Sequence, residues 1–161
     1  MEEKYTTHSS LETKDLGRKL SEEMIPGMIV CLEGELGSGK TTFAQGFLEG
    51  VGAKLPYVSP TFVIMKQYDL VVPATNSTQR VYHVDAYRVE EKDLETLGFA
   101  EWCADPEGIV ILEWPERVGN LIPKKALRVM FMAKSENERQ IMIILDSFEK
   151  KKKLCYTNSN M

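Results

Sequence analysis

The sequence contains little cysteine and little histidine. Three cysteines (Cys31, Cys103 and Cys155) and two histidines are scattered along the 161 residues, and no C-x-x-C pair occurs. This number and spacing argue against a disulfide framework and against a structural zinc site. They favour a reducing compartment, so we expect a cytoplasmic protein.

Long apolar runs and an excess of positive charge are also absent. Apolar runs such as Ile109–Leu112 span only a few residues, far short of the roughly 20 that a membrane helix needs. The first residues, Met-Glu-Glu-Lys-Tyr, lack the apolar core of a signal peptide. With 20 Lys+Arg against 24 Asp+Glu, the net charge is -4. We therefore expect no membrane partner and, at most, indirect contact with tRNA or other nucleic acid.

The remaining composition is that of an ordinary globular protein. Hydrophobic residues make up 43% and charged residues 27% of the chain, and a chain of this length buries about 70% of its extended surface. We expect residues 1–148 to form one α/β domain. Residues 149–161, which include the lysines at positions 150–153, are expected to be a flexible tail.

Hydrophobic periodicity predicts alternating helices and strands. Met28–Glu33 and Gly108–Glu113 are apolar on both faces, the pattern of buried parallel strands. Two alternating segments, 126–133 and 139–145, predict an antiparallel C-terminal hairpin. Further elements are a helix from Ser9 or Ser10 to Met24, helices over 40–50, 90–97 and 99–104, strands over 62–70 and 80–85, and a loose segment over 1–8.

A phosphate-binding motif follows the first buried strand. It reads Gly34-Glu35-Leu36-Gly37-Ser38-Gly39-Lys40-Thr41, followed by Thr42, and matches G-x-x-x-x-G-K-[ST] without exception. The glycines let successive backbone N–H groups face phosphate oxygens, while Lys40 neutralises the β- and γ-phosphates and the Thr41 hydroxyl binds Mg²⁺. The helix that follows adds the positive end of its dipole. The motif therefore predicts a nucleoside triphosphate site.

Two carboxylates end apolar strands of the predicted sheet. Asp85 follows Val-Tyr-His-Val and Glu113 follows Ile-Val-Ile-Leu. In P-loop proteins an acid at this position binds the metal, directly or through water, and polarises the attacking water. Because the carboxyl ends of parallel strands line one edge of a sheet, both acids are expected near the phosphates. Each acid alone could instead cap the next helix.

Three further segments accompany the phosphate motif in a fixed order. They are Ser59-Pro-Thr-Phe62, His83-Val-Asp-Ala-Tyr-Arg88 and Glu113-Trp-Pro115. Together with Gly34–Phe43, they resemble the TsaE family (also called YjeE), the small bacterial ATPases of threonylcarbamoyladenosine (t6A) tRNA modification. The resemblance covers about residues 10–139. Ala86 stands where a larger apolar residue is usual.

The resemblance implies a fold, a ligand, site residues and partners. The fold is a three-layer P-loop NTPase sheet with flanking helices and added antiparallel strands. Mg-ATP is bound by residues 37–42, with Thr41 and Glu113 at the metal and Thr61 on a loop that senses the γ-phosphate. Asp85 helps to position water or metal. The remaining implied contacts are Trp114 beside the metal acid, and Ser10, Thr13 and Glu138 at the border of the adenine.

The implied partners are the TsaD and TsaB proteins, where ATP hydrolysis resets the modifying complex between rounds. A small-molecule P-loop kinase is the main alternative, because compact kinases carry the same motif. A kinase is expected to add an arginine-rich lid, whereas the six arginines of this chain are dispersed. Nucleotide-gated binding without turnover is a third possibility.

Overall fold

The computed structural model describes residues 2–71 and 78–145 of the chain. Seven strands and four α-helices make up this part. The strands are β1 (Glu2–Thr7), β2 (Ile29–Glu33), β3 (Met65–Asp69), β4 (Arg80–Asp85), β5 (Gly108–Glu113), β6 (Leu127–Ala133) and β7 (Arg139–Ile144). The helices are α1 (Ser10–Glu23), α2 (Lys40–Gly50), α3 (Glu91–Leu97) and α4 (Phe99–Ala104), and a 3-10 segment covers Pro115–Leu121.

All seven strands form one mixed sheet in the order β1-β7-β6-β2-β5-β4-β3. The four central strands are parallel, and β2 lies between β6 and β5. The outer strands are antiparallel: β3 pairs with β4, β7 pairs with β6, and β1 pairs with β7. The parallel centre and the antiparallel C-terminal hairpin expected from the sequence are both confirmed.

Helices cover both faces of the sheet, which gives three layers. Alternate residues of β2 point to opposite faces, so Val30 and Leu32 join the core beneath α1 and α2. Ile29 and Cys31 join the second core, beneath α3, α4 and the 3-10 segment. Burial on both faces explains why the central strands are apolar throughout.

Helices α1 and α2 pack with their backbones in contact. A Cβ atom added to Gly17 would collide with the carbonyl oxygen of Phe43, and one added to Gly46 would collide with the carbonyl oxygen of Lys14. The two helices therefore depend on glycine at these positions to approach each other. The Ser9 hydroxyl caps α1 by accepting from the Glu12 amide at 3.1 Å.

Two expectations from the sequence are wrong. The segment expected to be loose over 1–8 contains a strand, because β1 (Glu2–Thr7) pairs antiparallel along the full length of β7, with Glu2 opposite Ile144 and Thr7 opposite Arg139. The strand expected over 62–70 begins only at Met65, because Ile64 adopts a left-handed conformation with φ 67° and ends a turn from Pro60.

Within the described ranges, no helix is long and apolar enough to cross a membrane. The flexible tail expected over 149–161 lies outside the described residues, as do positions 72–77 of the loop between β3 and β4.

Candidate nucleotide-binding site

A cleft of about 600 Å³ opens where the central parallel strands end. This is the edge at which open α/β sheets bind ligands, and the volume lies within the ordinary range of small-molecule sites. Residues expected at the site from the sequence line it: Ser10, Thr13, Leu36, Gly37, Gly39, Lys40, Thr41, Thr42, Thr61, Asp85, Glu113 and Trp114.

The phosphate-binding loop connects β2 to α2. Gly37 and Gly39 adopt positive φ values of 76° and 106°, conformations that glycine tolerates and other residues rarely adopt. Gly34 and Glu35 do not line the cleft; their carbonyl oxygens instead accept hydrogen bonds from the Lys40 ammonium. The side chain of Ser38 is buried, and its hydroxyl has no hydrogen-bond partner in the described part of the chain.

Lys40 is buried at the base of the cleft. Its Nζ atom lies 4.0 Å from the centre of the Trp114 ring, a cation–π contact. Burial lowers the pKa of Lys40, and the nearby Glu113 carboxylate partly opposes this effect. A bound anionic ligand would stabilise the charged form of the Lys40 ammonium, which burial disfavours.

Strand alternation brings the acidic residues to the start of α2. On β5, Glu113 faces the same side as Ile109 and Ile111, and on β4, Asp85 faces the same side as Val81. This is the side that α1 and α2 cover. The two acids are therefore directed towards the N-terminus of α2 and do not cap the helices that follow them in sequence.

Glu113 is the more deeply buried of the two acids, with 2% exposure. Its Oε2 atom accepts from the Thr41 hydroxyl at 3.2 Å, and its Oε1 atom lies 2.8 Å from His83 Nε2. No cluster of three or more His, Cys, Asp or Glu side chains suited to a metal occurs in 2–71 or 78–145. The hydroxyl and the carboxylate fit Mg²⁺, which takes one or two carboxylates and completes its shell with water and phosphate oxygens.

Asp85 holds the loop on the opposite side of the cleft. Its Oδ2 atom accepts from the Thr61 hydroxyl at 3.0 Å, and its Oδ1 atom accepts from the Tyr87 amide at 2.8 Å. The Thr61 hydroxyl also lies 2.8 Å from the Ser59 hydroxyl. Asp85 therefore connects the end of β4 to the loop that carries Ser59-Pro-Thr-Phe62.

Trp114 follows Glu113 in a left-handed conformation with φ 61°. Its ring contacts Tyr87 at a centroid distance of 4.8 Å, in addition to Lys40. The Arg117 guanidinium stacks on the other aromatic ring of this pair, that of Tyr87, at 5.5 Å. Trp114 is thus part of the wall of the cleft rather than of the central core.

The turn between β6 and β7 forms another border of the cleft. Arg139 donates to the backbone carbonyls of Ser135, Glu136 and Glu138, and also to that of Gly37 at 3.1 Å. Glu138 lies in this turn, where its carboxylate is 3.5 Å from His8 Nδ1. Glu138 does not line the cleft; its neighbours Glu136, Asn137 and Arg139 do.

Sequence reasoning missed six residues that line the cleft: Ser9, Tyr87, Arg88, Glu136, Asn137 and Arg139. Tyr87 and Arg88 lie within the motif His83–Arg88, so that motif could have identified them as site residues. Arg88 stacks at 5.2 Å on the exposed ring of Phe62. No local pattern marks Asn137 or Arg139, since they reach the site through the hairpin. His83, expected to be a packed core residue, is buried but also contacts Glu113.

Comparisons with known proteins agree with this geometry. The sequence model of the family described as "Threonylcarbamoyl adenosine biosynthesis protein TsaE" matches residues 7–141. The TsaE protein of Bacillus subtilis is 36% identical over 139 residues, which are 86% of this chain and 82% of that protein. The TsaE protein of Rickettsia conorii is 33% identical over 147 residues, 90% and 79% of the two chains.

A solved structure shares the fold. The crystal structure of Bacillus subtilis YdiB superimposes with a TM-score of 0.72 and 29% sequence identity, over 99% of this chain and 95% of that one. The family model and both relatives span the phosphate loop, the two acids and the loop that carries Thr61. The chain belongs to the TsaE family of threonylcarbamoyl adenosine biosynthesis proteins.

Proposed function

We propose that this chain binds and hydrolyses Mg-ATP as its part in t6A biosynthesis. The observation that carries the proposal is the 3.2 Å contact between the Thr41 hydroxyl and the Glu113 carboxylate beside the phosphate-binding loop. A hydroxyl and an acid so placed are the protein ligands of Mg²⁺ in P-loop NTPases. Bound there, Mg²⁺ would neutralise charge on the β- and γ-phosphates.

The residues around Thr41 and Glu113 have different roles in the proposed hydrolysis. Backbone N–H groups of residues 37–42 and the Lys40 ammonium bind the phosphates, which requires Lys40 to exchange its contacts with the Gly34 and Glu35 carbonyls for phosphate oxygens. Asp85 orients the attacking water, and Thr61, bonded to Asp85 at 3.0 Å, senses the γ-phosphate. Comparing the rates of ATP hydrolysis of Glu113→Gln and Asp85→Asn tests whether Glu113 also polarises the water.

The adenine end of the site lies between α1 and the hairpin turn. Ser10 and Thr13 line this part of the cleft, and Glu138 belongs to the adjoining turn. The sequence contains no N-K-x-D motif, which would mark guanine specificity, so we expect ATP to be preferred over GTP only modestly. Competition of a labelled ATP analogue by GTP tests this, and equal or tighter GTP binding contradicts it.

Product analysis separates the ATPase from a small-molecule kinase. Release of inorganic phosphate without a phosphorylated acceptor supports the ATPase, whereas label transfer to a metabolite supports a kinase. Lys40→Ala is expected to abolish ATP binding while the fold persists, because the ammonium faces the cleft. Circular dichroism checks the fold, and parental ATP affinity in this variant would refute the phosphate site.

We further propose that hydrolysis is coupled to the TsaD and TsaB proteins in the cytoplasm. Three apolar side chains border the cleft in exposed positions that a partner could cover: Leu36 (79% exposed), Phe62 (84%) and Val63 (62%). Two of them belong to the loop that carries Thr61, so the γ-phosphate would alter a surface that the partner contacts. By linkage, the partner must shift ATP and ADP affinity unequally.

The coupling has a direct test. The affinity for TsaD–TsaB is measured with an ATP analogue, with ADP and without nucleotide, alongside t6A formation over many turnovers. We expect nucleotide-dependent affinity and loss of multiple-turnover modification when this protein is omitted. Identical affinities in the three states, with undiminished turnover, would refute the coupling.

A further inference from the structure

A histidine lies in the interior of the sheet beside the proposed metal ligand. His83 occupies the middle of β4 with 1% exposure, and Glu113 ends the neighbouring strand β5 with 2% exposure. His83 Nε2 is 2.8 Å from Glu113 Oε1. The other ring nitrogen, Nδ1, has no partner within residues 2–71 and 78–145.

Packing alone does not account for a polar ring at this position. On its face of the sheet, His83 lies between Val81 and Asp85 along β4 and opposite Ile111 of β5, and Val81 and Ile111 are buried apolar side chains. Burying an imidazole is unfavourable unless it forms a hydrogen bond. Within residues 2–71 and 78–145, the one hydrogen bond of the ring joins it to Glu113, so we look for the role of the ring in that carboxylate.

The hydrogen bonds of Glu113 favour one tautomer of the His83 ring. Glu113 Oε2 already accepts from the Thr41 hydroxyl, as an ionised carboxylate does. An ionised carboxylate accepts at Oε1 as well, and on this basis we assign the proton to His83 Nε2, which then donates to Glu113. The Nε2–H tautomer also leaves no proton on the unpartnered Nδ1.

We propose that His83 is a positioning residue, which holds one oxygen of Glu113 so that the other faces Thr41 and the metal. This inference rests on the proposed function. A carboxylate bonded through Oε1 cannot rotate about its last torsion without losing that bond, so Oε2 stays directed at the Thr41 hydroxyl. Groups that orient a metal ligand in this way commonly change metal affinity or activity by about 10- to 100-fold when they are removed.

The bonding pattern can be measured without nucleotide. Long-range ¹H–¹⁵N NMR of the nucleotide-free protein distinguishes the two neutral tautomers of the His83 ring. We expect the Nε2–H form in the parent and a changed Nε2 resonance in Glu113→Gln. An Nδ1–H tautomer would overturn the inference, whatever the activity of the protein.

Two substitutions of His83 separate positioning from packing. His83→Leu removes the donor, and we expect the Mg²⁺ concentration for half-maximal ATP hydrolysis to rise by about 10-fold or more. His83→Gln places an amide donor near the position of Nε2 and is expected to recover most of this loss. Val84→Ala, which empties a fully buried position on the opposite face of β4, is the control for general destabilisation.

The outcomes distinguish this inference from the proposed function. In the Glu113→Gln background, His83→Leu should add no further change in Mg²⁺ dependence, because it acts through the carboxylate. Independent, additive effects, or an Mg²⁺ dependence that follows thermal stability in all variants including Val84→Ala, would overturn the inference while the ATPase stands. A parent protein that neither binds nor hydrolyses Mg-ATP would refute the proposed function, and the inference with it.

Discussion

Replacing Thr61 by valine should loosen the loop that faces the phosphate-binding motif. Valine keeps the shape of threonine but removes its hydroxyl. That hydroxyl donates to Asp85 Oδ2 at 3.0 Å and lies 2.8 Å from the Ser59 hydroxyl. The contact with Asp85 joins the loop to the end of β4, whereas the contact with Ser59 lies within the loop. Loss of the Asp85 contact should therefore favour opening of the loop without unfolding the sheet.

The size of the effect follows from the bond to Asp85. A hydrogen bond to a charged group contributes about 1.5–3 kcal/mol. This bond is partly buried, and water replaces it in part when the loop opens. We therefore expect the free energy of loop opening to fall by about 2 kcal/mol. That change raises the open population by about 30-fold.

Amide hydrogen exchange measures this population directly. The reporters are the amides of Val63 and Ile64, which both donate to the Pro60 carbonyl, at 3.1 and 2.7 Å. In Thr61→Val both should exchange about 30-fold faster, while amides of the central strand β2 keep their protection. Thr61→Ser retains the hydroxyl and is the control. Unchanged exchange at both amides in Thr61→Val would show that the side chain does not hold the loop.

Three further predictions concern the metal, the mouth of the cleft and the helix pair. Glu113→Gln should retain ATP binding but lower the rate of hydrolysis by about 100-fold or more, as when an electrostatic catalytic group is lost; a parental rate in a phosphate-release assay would contradict this. Arg88→Ala should lower kcat with little change in ATP affinity, because Arg88 lines the cleft and has no acidic partner in the described ranges. Arg117→Ala is the control, because Arg117 also stacks on an aromatic ring but does not line the cleft. Gly46→Ala should lower the free energy of unfolding by about 1–3 kcal/mol, because the new Cβ collides with backbone. Gly119→Ala, in open space, should be nearly neutral in the same urea titration.

The phosphate loop and the central strands could be predicted because their signals are local. β2 and β5 are buried on both faces, so an uninterrupted apolar run identifies each of them. The motif from Gly34 to Thr41 has fixed spacing, and it alone predicts the conformation of the turn. The acids at the ends of β4 and β5 then follow from the direction of parallel strands.

The first strand could not be predicted because its signal is distant in sequence. Five of the six residues of β1 are exposed, so the segment has no apolar face to reveal it. Its stability comes from pairing with β7, where Glu2 lies opposite Ile144. This backbone pairing depends on the exposed edge of β7, which the composition of residues 2–7 does not indicate.

The start of β3 and the cleft residues of the β6–β7 hairpin could not be predicted from the sequence, for different reasons. Phe62 and Val63 are apolar and favour a strand, but the turn from Pro60 and the left-handed Ile64 keep both side chains exposed. Arg139 donates to the Gly37 carbonyl, 102 positions away in sequence. A local turn decides the first case, and a contact between distant parts of the sequence decides the second.

The glycine contacts between α1 and α2 give the cleft two mechanically different sides. Because the helix backbones meet at Gly17 and Gly46, the helix ends that carry Thr13 and Lys40 are held as one rigid frame. The opposite side is the loop of Thr61, which the Thr61 hydroxyl fastens to Asp85. Loss of the γ-phosphate would therefore leave the frame where it is and displace the loop. A partner seated on the loop would sense which nucleotide is bound, and one seated on α1 would not.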